Sequence, residues 1–231
     1  MLRRDALRGI ISIMPELLDP KDFIITRKRK KYKFAKFHNA KNCFELDEWQ
    51  KRSVDVVEIG AGTALFSVEL AARHPEQTFV AVDVKADRLQ RGAYTALERG
   101  VKNVFFVRAR ADQLGELFDV HSLRTIWMTF PDPFPRRRSA GRRMTHPNFL
   151  RSYAALLRPH GTFCLKHDNR DFFCWSLEQL VAKNWQIAEL SFDLHDSALA
   201  DDYKIMTSYE ERWLAEGLTT NFVSAQPSKS K

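Results

Sequence analysis

The chain has 231 residues, 44% of them hydrophobic and 17 of them Phe, enough to bury one large core. No apolar run reaches the length of a membrane span, and three cysteines (Cys43, Cys164, Cys174) without metal-like spacing read as buried small hydrophobes of a reducing compartment. The net charge of +8 is concentrated: residues 27–36 and 136–143 hold twelve Lys or Arg, and without them 25 basic residues face 29 acidic ones. Two such clusters on an otherwise acidic chain favour a polyanionic partner, nucleic acid above all.

In chain order, the opening MLRRDALRGIISIMPELLDP starts basic and turns apolar, as a leader would. Asp5, Pro15 and Glu16 interrupt it and no small-residue cleavage site follows, so a cytoplasmic location is expected. RKRKKYKFAK follows, with Tyr32, Phe34 and Phe37 as stacking candidates and no strong apolar helical face. Residues 1–50 read as an irregular basic extension, 51–227 as one domain and 228–231 as a frayed tail. Apolar runs then alternate with helical patterns. Strands are expected at 54–60, 78–84, 103–109, 123–130, 161–168 and 185–194, with a last edge strand at 221–227. Helices are expected at 64–75, 86–100, 146–159, 171–184 and 207–217. Such alternation implies an α/β fold: a mostly parallel, seven-stranded sheet with helices on both faces. Ligands on these sheets bind beyond the carboxyl ends of the strands.

EIGAGTA (58–64) puts Gly60 and Gly62 in the first strand-to-helix turn. A dinucleotide turn wants a small residue three positions after the second glycine, where this chain has Leu65; the small residue is Ala64. That shift disfavours a nicotinamide-dependent oxidoreductase and favours the turn of S-adenosylmethionine (SAM) methyltransferases. Glu58 would repel a pyrophosphate and suits a cationic sulfonium ligand. Asp83, ending the second strand, can accept from a ribose diol. The seven His have no ligand spacing, so no metal is expected.

The most unusual stretch is FPDPFPRRRSAGRRM, residues 130–144. Pro131, Pro133 and Pro135 forbid helix or central strand and stiffen the chain around one acid, Asp132. Arg136, Arg137, Arg138, Arg142 and Arg143 follow and can grip phosphates. Further on come a strand ending His167–Asp168 and the run T-S-Y-E-x-R…G over 207–217.

From about residue 54 to 223 these motifs resemble the bacterial tRNA (guanine-N7-)-methyltransferases, whose pattern reads F-P-D-P-W-P-K-[KR]-R-H…[KR]-R, then T-D, then T-x-[FY]-E-x-[KR]…G. The resemblance implies a Rossmann-like class I methyltransferase fold and methylation of a variable-loop guanine in tRNA. It implies SAM held by Glu58, Gly60, Gly62, Asp83 and Ala111, with Asp132 catalytic and also against the cofactor. Arg136, Asp168, Thr207, Ser208, Tyr209 and Glu210 would bind substrate; tRNA is the partner, with no membrane and no obligatory protein partner. Three positions depart from the pattern. Arg110 replaces the acid that accepts from adenine, leaving Asp112 or the Ala111 backbone to that task. Phe134 replaces Trp, and His167 replaces the Thr of T-D, either bonding substrate or satisfying a loop carbonyl. Competing readings are an RNA-binding protein of the same fold without catalysis, and a SAM enzyme acting on another RNA.

Overall fold

The computed structural model describes residues 28–207 and 209–228. Four apolar segments form its parallel centre: β2 (Val56–Ile59), β3 (Phe79–Asp83), β4 (Val104–Arg108) and β5 (Leu123–Thr129). All four residues of β2 are buried, as a strand covered on both faces requires. Side chains alternate between two cores. Val57, Ile59, Val80 and Val82 point to one, and Val56, Phe79 and Ala81 to the other.

Helices α2 (Leu65–Arg73) and α3 (Ala86–Glu98) close the second core through Phe66, Val68, Leu89 and Ala93. The first core is closed by α4 (Leu114–Leu117), α5 (Pro147–Leu156) and α6 (Arg170–Ala182) through Leu114, Leu150, Tyr153 and Phe173. The sheet runs β1-β4-β3-β2-β5-β6-β8-β7, with β1 (Cys43–Glu45), β6 (Leu157–His167), β7 (Trp185–Ser191) and β8 (Asn221–Pro227). Only the pairings of β8 are antiparallel. The order reverses between β2 and β5, so the loops after these two strands meet at the switch point.

The structure departs from the sequence expectations at both ends of the sheet. An eighth strand, β1 (Cys43–Glu45), pairs with β4 from within the stretch read as an irregular extension. Helix α1 (Lys28–Asn39) precedes it and packs on α3, burying Ala35, Phe37 and, just beyond the helix, Ala40. Three small or aromatic residues suffice for this anchoring, a weaker stripe than a periodicity count detects. Phe37 is therefore core rather than a stacking group, Phe34 carries the Arg108 guanidinium 5.4 Å above its ring, and Tyr32 is exposed. At the other end, β8 is not an edge strand. Residues 221–225 are all buried between β6 and β7, while β7 alternates as an edge strand does. Cys43 and Cys164 are buried as expected; Cys174 is exposed on α6.

Gly92 shows how tightly α3 is set against the glycine turn. A Cβ there would lie 2.6 Å from the Thr63 carbonyl oxygen and 2.8 Å from the Phe106 ring. Neither can yield without moving the turn or the core. Gly92→Ala should therefore destabilise the fold by about 1–3 kcal/mol despite the better helix propensity of Ala. Urea unfolding measures this, and a stabilised variant would mean α3 is free to shift.

Candidate active site

Two clefts open at the carboxyl ends of the strands. The smaller, about 470 Å3, is lined by Ile59, Asp83, Ala109, Ala111, Met144 and Phe149, among others. The larger, about 680 Å3, reaches Glu58, Lys33, Asp168, Thr207, Tyr209 and Trp213. Gly60, Phe130, Pro131 and Asp132 belong to both. Asp132 thus stands where they join.

The glycine turn is built by conformation and one acid. Gly60 and Gly62 adopt φ of 70° and 55°, which a side chain disfavours. Asp83 takes the Gly62 N–H on one oxygen and the Lys85 N–H on the other, both at 2.8 Å, and keeps lone pairs for a further donor. Glu58 lies beneath, 2% exposed, accepting from the Ser67 hydroxyl at 2.5 Å and the Thr129 hydroxyl at 2.6 Å. It joins β2 to α2 and β5. Neither hydroxyl was singled out in the sequence, although Thr129 directly precedes the proline motif.

The proline segment leaves β5 through Phe130, whose φ is 49°, and passes Phe134 at 41°. Two non-glycine residues in the left-handed region store strain, so the segment must be held. The carbonyls on either side of Asp132 are both taken: Pro131 O by the His167 ring at 2.9 Å, Pro133 O by Arg143 Nε at 3.1 Å. His167 Nδ1 accepts from the Asn169 N–H, which assigns the donor proton to Nε2. His167 therefore satisfies a loop carbonyl. Arg143 also bonds Phe134 O and lies 4.3 Å from the centre of the Trp175 ring, so it braces the loop. Arg142 sits 4.4 Å over Phe134, covering one face of that ring. Arg136, Arg137 and Arg138 stand exposed where a short 3-10 helix (Arg137–Arg142) begins. Asp132 itself is exposed, and its carboxylate has no partner among the described residues.

The third wall comes from residues around α7 (Glu210–Ala215). The resemblance implies a substrate contact for Glu210, yet this carboxylate is fully buried and saturated. Lys166 Nζ (2.8 Å) and the Thr207 N–H (3.1 Å) donate to Oε2; the His195 ring (2.7 Å) and the Thr220 hydroxyl (3.1 Å) bond Oε1. Four partners exhaust its acceptor sites. Lys166, also bonded to Ile205 O, is fully buried, and burial lowers its pKa against the opposing pull of Glu210. No sequence signal distinguished it from a strand-end surface lysine. The network fixes Thr207, which with Asp168 and Tyr209 faces the larger cleft. Phe130, Tyr209 and Trp213 form a row of rings with centroids 5.6 and 5.5 Å apart. Ser208 lies outside the described residues.

Arg110 bonds Asp112 through two contacts, at 2.8 and 3.0 Å, at the rim of the smaller cleft. The guanidinium holds the Asp112 carboxyl below the usual carboxylate range. The acid left by the sequence for adenine recognition is thus engaged, though in an exposed pair that opens cheaply.

This strand order and central glycine turn are those of the Rossmann-like class I methyltransferases. The solved 16S rRNA methyltransferase KamB superposes with a TM-score of 0.58 at 16% identity, over 79% of this chain and 90% of that one. The precorrin-6y C5,15-methyltransferase of Geobacter metallireducens GS-15 does so with 0.51 at 15% identity, over 90% and 91%. A family model described as "Putative methyltransferase" matches residues 52–222. The tRNA (guanine-N(7)-)-methyltransferase of Brevibacillus brevis is 40% identical over 161 residues, 70% of this chain and 75% of the relative. That of Cytophaga hutchinsonii is 36% identical over 171 residues, 73% and 77%. The chain belongs to the tRNA (guanine-N(7)-)-methyltransferase family.

Burial pushes the Glu58 carboxyl up to about 7 from its ordinary 4.5, against the hydrogen bonds of Ser67 and Thr129. A folded-state pKa raised above the unfolded one stabilises the fold at low pH, and this contribution is lost as pH rises through about 7. Glu58→Gln stays neutral throughout. Its stability relative to the wild type should rise between about pH 4.5 and 7 in urea unfolding series; parallel curves would show that Glu58 ionises as it does in water.

Proposed function

We propose that this chain transfers a methyl group from SAM to N7 of a variable-loop guanine in tRNA. The observation that carries the reading is the unpartnered carboxylate of Asp132, braced on both sides, at the junction of the two clefts. The residues of the smaller cleft fit the cofactor. Ile59, Ala109, Met144 and Phe149 offer an apolar slot for a purine, and Asp83 retains acceptor capacity for a ribose diol. Gly60 keeps the floor clear, since a Cβ there would lie 2.9 Å from the Met144 methyl. Gly60, Asp83 and Ala111 of this cleft would hold the cofactor with Glu58 and Gly62, which reach it from the adjoining larger cleft, and with Asp132 against it. When bound, SAM supplies an electrophilic methyl group on a sulfonium.

Guanine N7 carries a lone pair and no proton, so the chain needs no general base at the attacking atom. As N7 attacks, positive charge develops on the purine and its N1 and amino protons become more acidic. Asp132, accepting from that edge, binds the transition state more strongly than the ground state. The ring row of Phe130, Tyr209 and Trp213 offers a stacking surface for the base, and Asp168 and Thr207 add polar contacts. Glu210 acts on substrate only through Thr207, which it positions. Outside the clefts, Arg136, Arg137 and Arg138 hold backbone phosphates, and Lys33 on α1 continues the basic track into the larger cleft. These contacts position the RNA without reading its sequence. Arg142 and Arg143 serve Phe134 and the proline segment instead.

Incubation of unmodified tRNA with labelled SAM, followed by nucleoside analysis for 7-methylguanosine, tests the reading. Asp132→Ala should cut turnover by about 100-fold or more with an unchanged melting temperature; near-normal turnover would remove Asp132 from the mechanism. Replacing Arg136, Arg137 and Arg138 together by Ala should weaken tRNA binding and reduce the slope of log affinity against log salt by up to about 3. An unchanged slope would mean this turn faces away from RNA.

A further inference from the structure

At the opposite end of the sheet, where β2, β3 and β5 begin and β6 crosses beside them, lies a pocket of about 450 Å3 that the proposed reaction does not use. Val56, Leu70, Phe79 and Trp127 form its apolar floor. Arg124, Arg158 and His160 stand exposed on its rim.

The rim is electrostatically one-sided. Arg124 and Arg158 sit on neighbouring strands, where the register pairs Leu123 with Leu157 and Thr125 with Thr162. The residues of β6 in excess over β5 form a bulge that carries Arg158 and His160, and Gly161 keeps it tight: a Cβ there would lie 2.9 Å from Arg158 O. Like charges on adjacent strands repel. Among the described residues neither guanidinium has a hydrogen-bonded or ion-paired partner. The one acid lining the pocket, Asp202, is taken by His74 at 2.6 Å and Arg73 at 3.3 Å.

We propose that this pocket binds a phosphate-bearing ligand, with the phosphate between Arg124 and Arg158 and the organic part on the apolar floor. Two planar guanidiniums can share the oxygens of one phosphate, monoester or diester, where a single carboxylate suffices for one fork. His160 is placed to add a third donor. The phosphate could come from a free mononucleotide or from an RNA backbone, and one experiment separates the two.

UMP, inorganic phosphate and uridine are titrated into the 15N-labelled protein and into the Arg124→Gln/Arg158→Gln double variant, with S-adenosylhomocysteine filling the cofactor cleft. Spectra follow the Trp127 indole N–H and the β5 and β6 amides; melting temperature checks that the variant is folded. Expected are shifts with UMP, weaker shifts with phosphate, none with uridine, and an affinity for UMP reduced about tenfold per guanidinium removed. If UMP leaves the pocket unmoved but the variant's tRNA binding loses about two units of salt slope, the phosphate belongs to RNA and the assignment of chemistry holds. Equal binding of uridine and UMP, or no response in either arm, overturns the proposal.

Discussion

Two hydrogen bonds to carbonyl oxygens, one from His167 and one from Arg143, define the centre of this protein. Prolines limit the conformations available to residues 131–135 but donate no backbone hydrogen bonds, so the segment cannot tie itself down. Its two left-handed phenylalanines would relax if the chain were released. The ties therefore come from elsewhere: the end of β6 supplies His167, and the turn before α5 supplies Arg143, itself backed by Trp175 on α6. With its flanking carbonyls occupied, Asp132 is left as an exposed carboxylate carried on a fixed stretch of backbone. In the proposed reaction, that fixed backbone spares the reorganisation that an acid on a flexible loop would undergo.

Two other acids near the clefts behave in the opposite way. Glu58 and Glu210 are buried, and hydroxyls, a lysine, a histidine and a backbone amide occupy their oxygens. They act as joints. Glu58 fastens the central strand to the strand that delivers the proline segment, and Glu210 fastens α7 to β6. Removing Lys166 from the Glu210 site would leave a desolvated charge, which costs more than the contact itself contributes. Of these three carboxylates Glu210 is fully enclosed, Glu58 fastens a wall while lining the larger cleft, and Asp132 alone is exposed and unpartnered among the described residues.

Much of this was legible in the sequence, for identifiable reasons. The buried strands announced themselves as apolar runs, and the glycine turn and the proline segment by residues whose backbone constraints admit few conformations. The strand β1 and the helix α1 were not, because a three-residue strand has no periodicity and a helix with three anchoring residues resembles a solvated basic run. The place of β8 escaped because strand order is a long-range property: nothing local to NFVSAQP states which neighbours it will have. Glu210 was read as part of a motif, but a motif does not report whether a carboxylate faces ligand or lysine. Its partners Lys166, His195 and Thr220 lie 44, 15 and 10 residues away and come together only through the fold. Arg143 was counted with the phosphate-gripping arginines for the same reason, since charge is visible in sequence and direction is not.

The insertion of β8 between β6 and β7 has a consequence for biogenesis. Thr220 and Asn221, at the start of β8, bond Glu210 and the His167 carbonyl, so a late piece of chain latches both the ring that braces Asp132 and the acid that seats Thr207. A ribosome releases this strand after all the parts it fastens. Until then β6 has an unpaired border beside a half-built cleft. The glycine turn precedes all of these parts in the chain, whereas the wall carrying Thr207 is fastened only once residues 220 and 221 have left the exit tunnel.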